Sequence, residues 1–243
     1  GVVIMPNITE KENIYVSAVI VSAGNSTRMG GINKQFLEIN NMPVIAHTIK
    51  AFDNLDAINE IVVVTRECDI ADVVSLIEKY NFKKVSTVVS GGETRQLSVY
   101  NGVINTSHSA DYVAIHDGAR PLVSDSVIIN TLNNAFEFDA AATGVKVKDT
   151  VKVVDVNDNI VDTPDRTYMR FIQTPQIFKK SLYIDAVNTV ENSKNFTDDC
   201  MLLEAYGKKV KFVDGDYENI KITTPEDVEL AENYIKRKGN NHA

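Results

Sequence analysis

Short runs of β-branched residues alternate with amphipathic stretches along most of this chain. Tyr15–Val21, Ile61–Thr65, Lys84–Ser90 and Tyr112–Ile115 are dense in Val, Ile and Thr. Helical spacing of apolar positions runs over Pro43–Asn54, Asp69–Tyr80, Thr94–Asn105 and Asp125–Glu137. Near-continuous apolar runs, rather than strict alternation, mark strands covered on both faces. Strand–helix alternation of this kind calls for parallel strands joined by right-handed crossovers. The pattern predicts an α/β fold with a doubly wound, mostly parallel (Rossmann-like) sheet.

The rhythm changes after about Ala140. Val151–Val156, the turn-like Asn157-Asp158-Asn159 and Ile160–Asp162 have the period of a hairpin rather than of a helix. Helical patterning returns at Lys180–Val190 and at Thr197–Tyr206, where Gly207 can cap the end. Strands are expected at Lys209–Val213 and Ile220–Ile222. A final helix opens at Thr224-Pro225-Glu226-Asp227, with an N-cap Thr, Pro at the first helical position and an acid three residues on. The expected layout is a disordered leader over residues 1–14 and one domain over 15–238. A protruding β-hairpin arm is expected at about 147–166.

Composition narrows the class. Asp and Glu number 33 against 25 Lys and Arg, a net charge of −8, which argues against holding nucleic acid over a broad face. An acidic chain can still bind a small anion through a few locally placed cations. No apolar run approaches the ~18 residues of a membrane span, and the apolar opening Gly1–Pro6 is too short for a signal peptide. Cys68 and Cys200 match no metal or redox spacing. A cytoplasmic protein with no nucleic-acid or membrane partner is expected.

Ligands of open α/β sheets sit at the carboxyl ends of the strands, and four polar segments fall there. The first, Ser22-Ala23-Gly24-Asn25-Ser26-Thr27-Arg28-Met29-Gly30-Gly31-Ile32-Asn33-Lys34-Gln35, combines small residues with two cations. Backbone N–H groups can approach a phosphate there, with Arg28 and Lys34 supplying charge. It is neither a dinucleotide fingerprint nor a Walker loop. The second, Gly91-Gly92-Glu93-Thr94-Arg95, again puts glycines and a cation at a helix start, although Arg95 could equally pair with a surface acid. In the third, His116-Asp117-Gly118-Ala119-Arg120-Pro121, Asp117 ends a buried strand and suits a hard cation such as Mg²⁺. His116 points the other way by alternation and is read as structural. In the fourth, Lys221 interrupts an apolar strand and is expected to face a cleft. There is no obvious nucleophile or general base among these residues. Phosphoryl and nucleotidyl transfer needs little beyond positioning and charge stabilisation, and a phosphate monoester is already ionised at neutral pH. The residues by themselves point to an Mg²⁺-dependent transferase acting on a nucleotide.

Six ordered motifs carry a resemblance. The first loop resembles the A-G-x-G-x-R-M-x(n)-K-Q-F motif of sugar and polyol nucleotidyltransferases. With Gly92–Val99, His116–Pro121, Gln173-Thr174-Pro175-Gln176, Thr197-Asp198-Asp199 and Asn219–Thr223, the chain from about Tyr15 to Ile235 resembles the 2-C-methyl-D-erythritol 4-phosphate cytidylyltransferase family. The resemblance implies transfer of CMP from CTP to that polyol phosphate, with release of pyrophosphate, in non-mevalonate isoprenoid biosynthesis. It implies that Arg28, Lys34 and Lys221 stabilise charge on the α-phosphate, that Arg166 positions the polyol phosphate, and that Asp117 is linked to Mg²⁺. Ala23, Gly24, Gly92, Glu93 and Ser98 match the cytidine pocket; Arg120, Thr150, Thr174 and Thr197 match polyol-phosphate positions. It further implies a homodimer in which the arm embraces the second subunit, so that Arg166 and Thr150 serve the partner's site.

Three positions depart from the family's pattern. Leu97 stands where Asp is usual, Gly118 where Ala is usual, and Ser22 in place of Ala or Pro. None removes a charge assigned to the chemistry. Ribitol-5-phosphate cytidylyltransferase is the nearest alternative, because it shares the CTP half. A non-catalytic nucleotide-binding regulator is disfavoured by the joint presence of Arg28, Lys34, Asp117 and Lys221, and a dinucleotide oxidoreductase by the missing fingerprint.

Overall fold

The computed structural model describes residues 14–24, 33–190 and 196–240. Nearly all of the expected leader, and the loop segment 25–32 with Arg28, lie outside the described residues. The chain runs through β1 (Val16–Val21), a 3₁₀ turn (Lys34–Phe36), β2 (Glu38–Ile39), β3 (Met42–Pro43), α1 (Val44–Asp53), β4 (Glu60–Thr65), α2 (Ile70–Tyr80) and β5 (Val85–Ser90). It continues through α3 (Arg95–Ile104), β6 (Tyr112–Asp117), α4 (Asp125–Phe138), β7 (Ala140–Lys146), β8 (Val153–Val154) and β9 (Ile160–Asp162). A 3₁₀ turn (Arg166–Tyr168), β10 (Arg170–Lys179), α5 (Lys180–Thr189), α6 (Asp199–Ala205), β11 (Lys211–Asp214) and α7 (Pro225–Asn240) complete it.

Seven strands form one sheet in the order β11-β7-β10-β6-β1-β4-β5. All neighbours are parallel except β10, which is antiparallel to both β6 and β7. The sheet is mostly parallel and covered on both sides. Ala18 and Ile20 of β1 pack with Ile45, Ile49 and Phe52 of α1 and with Ile128 and Leu132 of α4. Val19 faces the other way, against Val64, Val99 and Val103, while Tyr183 and Leu203 close the same layer further along. Burial on both faces is the physical reason that β1, β4 and β6 read as unbroken apolar runs. Gly102 lets α3 lie close to the sheet: a Cβ there would sit 2.3 Å from Val19 Cγ1.

One sequence expectation is corrected, and two strands appear that the apolar pattern does not predict. Ile220–Ile222 is not a strand; it is an extended segment tied by the Ile222 N–H to the Ala119 carbonyl at 2.8 Å. The apolar pattern shows neither β7 nor the long β10. β10 carries Gln173, Thr174 and Gln176 in its buried part, and its register with β7 slips between Ile172 and Gln176, around the cis Thr174–Pro175 peptide bond.

Lys146 and Arg170 still pair across β7 and β10, and between them the chain leaves the sheet. The excursion carries the β8–β9 hairpin, shorter than the expected Val151–Asp162. Its turn is tied by the Asp155 carboxylate, which accepts the N–H groups of Asn157 and Asn159, each at 2.9 Å. The C-terminal helix starts as the capping pattern predicts: Asp227 Oδ2 accepts the N–H of Thr224 at 2.8 Å and that of Thr223 at 2.7 Å.

Candidate active site

The carboxyl ends of β1, β4, β5 and β6 bring three of the polar segments together. Ser22 follows β1 and is anchored on β4, its N–H and hydroxyl both donating to the Val64 carbonyl at 2.7 and 2.8 Å. Gly91 follows β5 and leaves room for two neighbours: a Cβ there would lie 2.3 Å from Ala23 Cβ and 2.8 Å from Ser98 Oγ. Ser98 is buried, accepts the Gly92 N–H at 3.1 Å and donates to the Thr94 carbonyl at 2.9 Å. Ala23 and Ser98 therefore flank Gly91, with Gly92 bonded to Ser98, while Gly24 and Glu93 are exposed beside them. Leu97, the departure from Asp, is largely exposed; its N–H takes the Thr94 cap, and Ser98 is held without it. At Gly118 a Cβ would meet Ser22 Cβ at 2.9 Å and Gln35 Oε1 at 3.3 Å, so the β1 loop, the Lys34–Phe36 turn and the β6 loop converge on this glycine.

Charge is concentrated at the end of β6. Asp117 Oδ2 lies 2.9 Å from Lys221 Nζ and 3.3 Å from Arg120 Nε, and Asp117 Oδ1 is 3.9 Å from Arg95 Nε. Burial pushes the Asp117 carboxyl upward, but Lys221, then Arg95 and Arg120, outweigh it and hold the group well below the usual carboxylate range. Arg95 reaches a second buried acid, Asp199 at the start of α6, at 2.7 Å; Tyr183 donates its hydroxyl to the other oxygen at 3.2 Å. Among these residues are three cations and two carboxylates, an excess of one positive charge inside an acidic chain. Lys34 stands on the turn that packs against the same Gly118. Low-dielectric walls focus such a field and draw anions in.

A polar relay fixes this corner. His116 is fully buried, and burial pulls its pKa down to about 4. The ring is therefore neutral at physiological pH. Its Nε2 lies 3.2 Å from the Arg120 carbonyl and its Nδ1 3.0 Å from Thr174 Oγ1, which in turn accepts the Asp117 N–H at 3.0 Å. With the proton on Nε2, every group in the chain has a donor or an acceptor. His116 is structural, as the alternation predicts, and what it structures is the Asp117–Arg120 turn.

The remaining expected site residues are spread. Thr174 is buried in the relay. The Arg120 side chain is 12% exposed and its Nη1 donates to the Asn219 carbonyl at 2.8 Å, which braces the β6 loop against the segment that carries Lys221. Thr197 is exposed just before α6, while Thr150 and Arg166 are exposed on the excursion. The Arg166 Nη1 hydrogen bond runs to the Lys148 carbonyl of that same excursion at 2.5 Å. Lys221 reaches Asp117 from a loop and not from a strand. Arg95 and Asp199 were missed as site residues. Their pairing spans 104 positions of sequence, and only the helix-start cation after a glycine pair and the Thr197-Asp198-Asp199 run hinted at it.

Among the described residues no group of three or more His, Cys, Asp or Glu could hold a metal ion by itself. Asp117 is a lone carboxylate with cations on both oxygens. That donor set fits Mg²⁺, which takes few protein carboxylates and draws the rest of its shell from water and substrate phosphates, and it fits no all-protein cage.

A doubly wound sheet with a glycine-lined loop pair and a cation-ringed aspartate at a strand end fits a nucleotidyltransferase. A sequence model of 2-C-methyl-D-erythritol 4-phosphate cytidylyltransferase matches residues 16–237, and the chain belongs to that family. A relative of this name in Caldanaerobacter subterraneus subsp. tengcongensis is 49% identical over 226 residues, covering 91% of this chain and 99% of the relative. One in Clostridium botulinum is 44% identical, covering 91% and 97%. The crystal structure of 4-diphosphocytidyl-2C-methyl-D-erythritol synthase from Anaerococcus prevotii superposes with a TM-score of 0.82 at 33% identity, covering 93% of this chain and all of that one. No helix among the described residues is long and apolar enough to cross a membrane.

Proposed function

We propose that this protein transfers CMP from CTP to 2-C-methyl-D-erythritol 4-phosphate, giving 4-diphosphocytidyl-2-C-methyl-D-erythritol and pyrophosphate. The observation that carries the reading is the Asp117 carboxylate bracketed by Lys221, Arg120 and Arg95, together with the loops in which Gly91 packs closely on Ala23 and Ser98. A phosphate oxygen of the polyol attacks the α-phosphorus of CTP as the bond to the pyrophosphate oxygen breaks. Both anions bring their own charge, so the protein's work is to position them and to stabilise the five-coordinate phosphorus. Lys34 and Lys221 meet the growing charge on the α-phosphate, joined by Arg28. Ala23, Gly24, Gly92, Glu93 and Ser98 hold the cytidine. Arg95 and Arg120 keep Asp117 ionised and Lys221 in place. Asp117 would hold Mg²⁺, which supplies charge neutralisation across the phosphates when bound.

The polyol phosphate is held from the Arg120, Thr174 and Thr197 side, completed by Arg166 and Thr150 of a second copy in a homodimer. The excursion supports this: Val156 is 99% and Tyr168 83% exposed, with Ile160 and Val161 also largely exposed, and Phe171 beyond it on β10 is exposed as well. Exposed apolar side chains in this number suit an interaction surface.

The test is pyrophosphate release from CTP in the presence of 2-C-methyl-D-erythritol 4-phosphate, with and without Mg²⁺, and with ribitol 5-phosphate in parallel. Release that depends on the methylerythritol phosphate and on Mg²⁺ is expected. Release with ribitol 5-phosphate alone would move the reading to that enzyme, and no release with either polyol would defeat it.

A further inference from the structure

We infer that Asp69 and Asn33 are positioning residues for Lys34, acting through the turn that carries it. The inference rests on the reading of Lys34 as a catalytic cation. Lys34 opens the 3₁₀ turn Lys34–Phe36, whose N-cap is Asn33: its side-chain oxygen accepts the Gln35 N–H at 3.3 Å and its backbone carbonyl accepts the Phe36 N–H at 3.1 Å. A turn of three residues has little cohesion of its own. Beyond the packing of Gln35 and Phe36, it is tied to the protein through the other side of the Asn33 amide, where Nδ2 donates to Asp69 Oδ2 at 3.0 Å. Asp69 lies just after β4, is 6% exposed and is itself fixed by Arg66, whose Nε and Nη2 donate to its two oxygens at 2.6 and 2.9 Å.

The geometry determines which way the Asn33 amide points. A carboxylate accepts only, so the Asn33 NH₂ must face Asp69 and its oxygen must face Gln35. Reversing the amide would place an oxygen against a carboxylate and an NH₂ against an N–H. Asp69 thus sets the cap, and the cap sets the turn. Gln35 is buried against Gly118, so the clamp spans from the β4 loop to the β6 loop with Lys34 between them. Arg66 also neutralises Asp69, so this carboxylate does little to offset the positive charge of the neighbouring turn. Displacement of a catalytic group by about 1 Å can cost around a hundredfold in rate, and this clamp lies on the scale of such a displacement.

Two readouts test it. The first is steady-state kinetics of pyrophosphate release for the parent, Asn33→Ala, Asp69→Asn and Asn33→Asp. We expect kcat to fall about tenfold or more in each variant, with the KM for CTP within about threefold. Asn33→Ala leaves the Arg66–Asp69 pair intact, so its thermal midpoint should stay near the parent's. The second readout needs no activity: amide hydrogen exchange at Gln35 should accelerate in Asp69→Asn and Asn33→Ala while β1 and β6 amides stay protected. Unchanged kcat in folded single variants, or unchanged Gln35 exchange, would overturn the clamp. A parent without activity but with the expected exchange pattern would count against the cytidylyltransferase reading and leave the clamp standing.

Discussion

In the proposed reaction, single side chains carry the chemistry through charge that is needed only in the transition state. Lys34→Ala and Lys221→Ala should therefore lower kcat by about 10²–10³, the usual loss for one preorganised donor, while CTP affinity changes only a few-fold. Turnover within twofold of the parent for either variant would remove that lysine from the reaction. His116 makes a different kind of prediction. Its pKa in the folded protein is about 4 against an ordinary 6.5, so between those values the unfolded chain binds the proton and the folded chain does not. Stability is then fully present above about pH 6.5 and falls as the pH drops towards 4, by on the order of 3 kcal/mol. Asp117, held below the ordinary carboxylate range, loses its contribution in the same direction at still lower pH. Urea titrations between pH 4 and 7 should show this slope in the parent and a flatter one in His116→Asn. Equal slopes would mean that the imidazole is not held neutral by burial.

At the scale of loops and strands, close approach is what assembles the site. A methyl group on Gly91 would have to displace Ala23 or Ser98. Gly91→Ala should thus raise the KM for CTP by about tenfold or more with a much smaller change in thermal midpoint, since the strained contact lies between two loops and outside the core. A normal KM would show that these loops do not hold the cytidine. Which elements were legible in the sequence follows from the same physics. β1, β4 and β6 are buried on both faces and read as strands from composition alone. β10 does not, because its interior polar residues are satisfied by partners far away in sequence: Gln176 Oε1 accepts the Asp199 N–H, and the Gln173 amide donates to the Asp216 carbonyl. β7, Ala140-Ala141-Ala142-Thr143-Gly144-Val145-Lys146, has weak strand formers at five of its seven positions and is a strand through its pairing with β10 and β11. The pairing of Lys221 was legible because a lysine amid apolar neighbours needs a partner. That of Arg95 was not, since its decisive partner Asp199 declares itself only when the starts of α3 and α6 are brought together.

For the whole molecule the open question is where one active site ends and the next begins. The excursion between β7 and β10 carries an exposed two-stranded hairpin, exposed apolar side chains and the cation Arg166. A two-stranded hairpin is marginal in water on its own, and a two-fold interface would cover both copies of this one at once. The expected unit is a homodimer in which Arg166 serves the neighbour's Lys34 site, and subunit mixing tests it. Arg166→Ala and Lys34→Ala chains should each be nearly inactive. In a mixed dimer, the cleft of the Arg166→Ala chain keeps its own Lys34 and receives an intact Arg166 from the other chain. The second cleft collects both defects. Activity should then return towards half of the parent value per mixed dimer. If Arg166 instead serves its own chain, every cleft retains one defect and mixing restores nothing. A mixture shown by mass spectrometry to have exchanged subunits, yet still inactive, would confine each site to one chain. The transfer reaction assigned to Lys34 and Lys221 would be unaffected by that outcome.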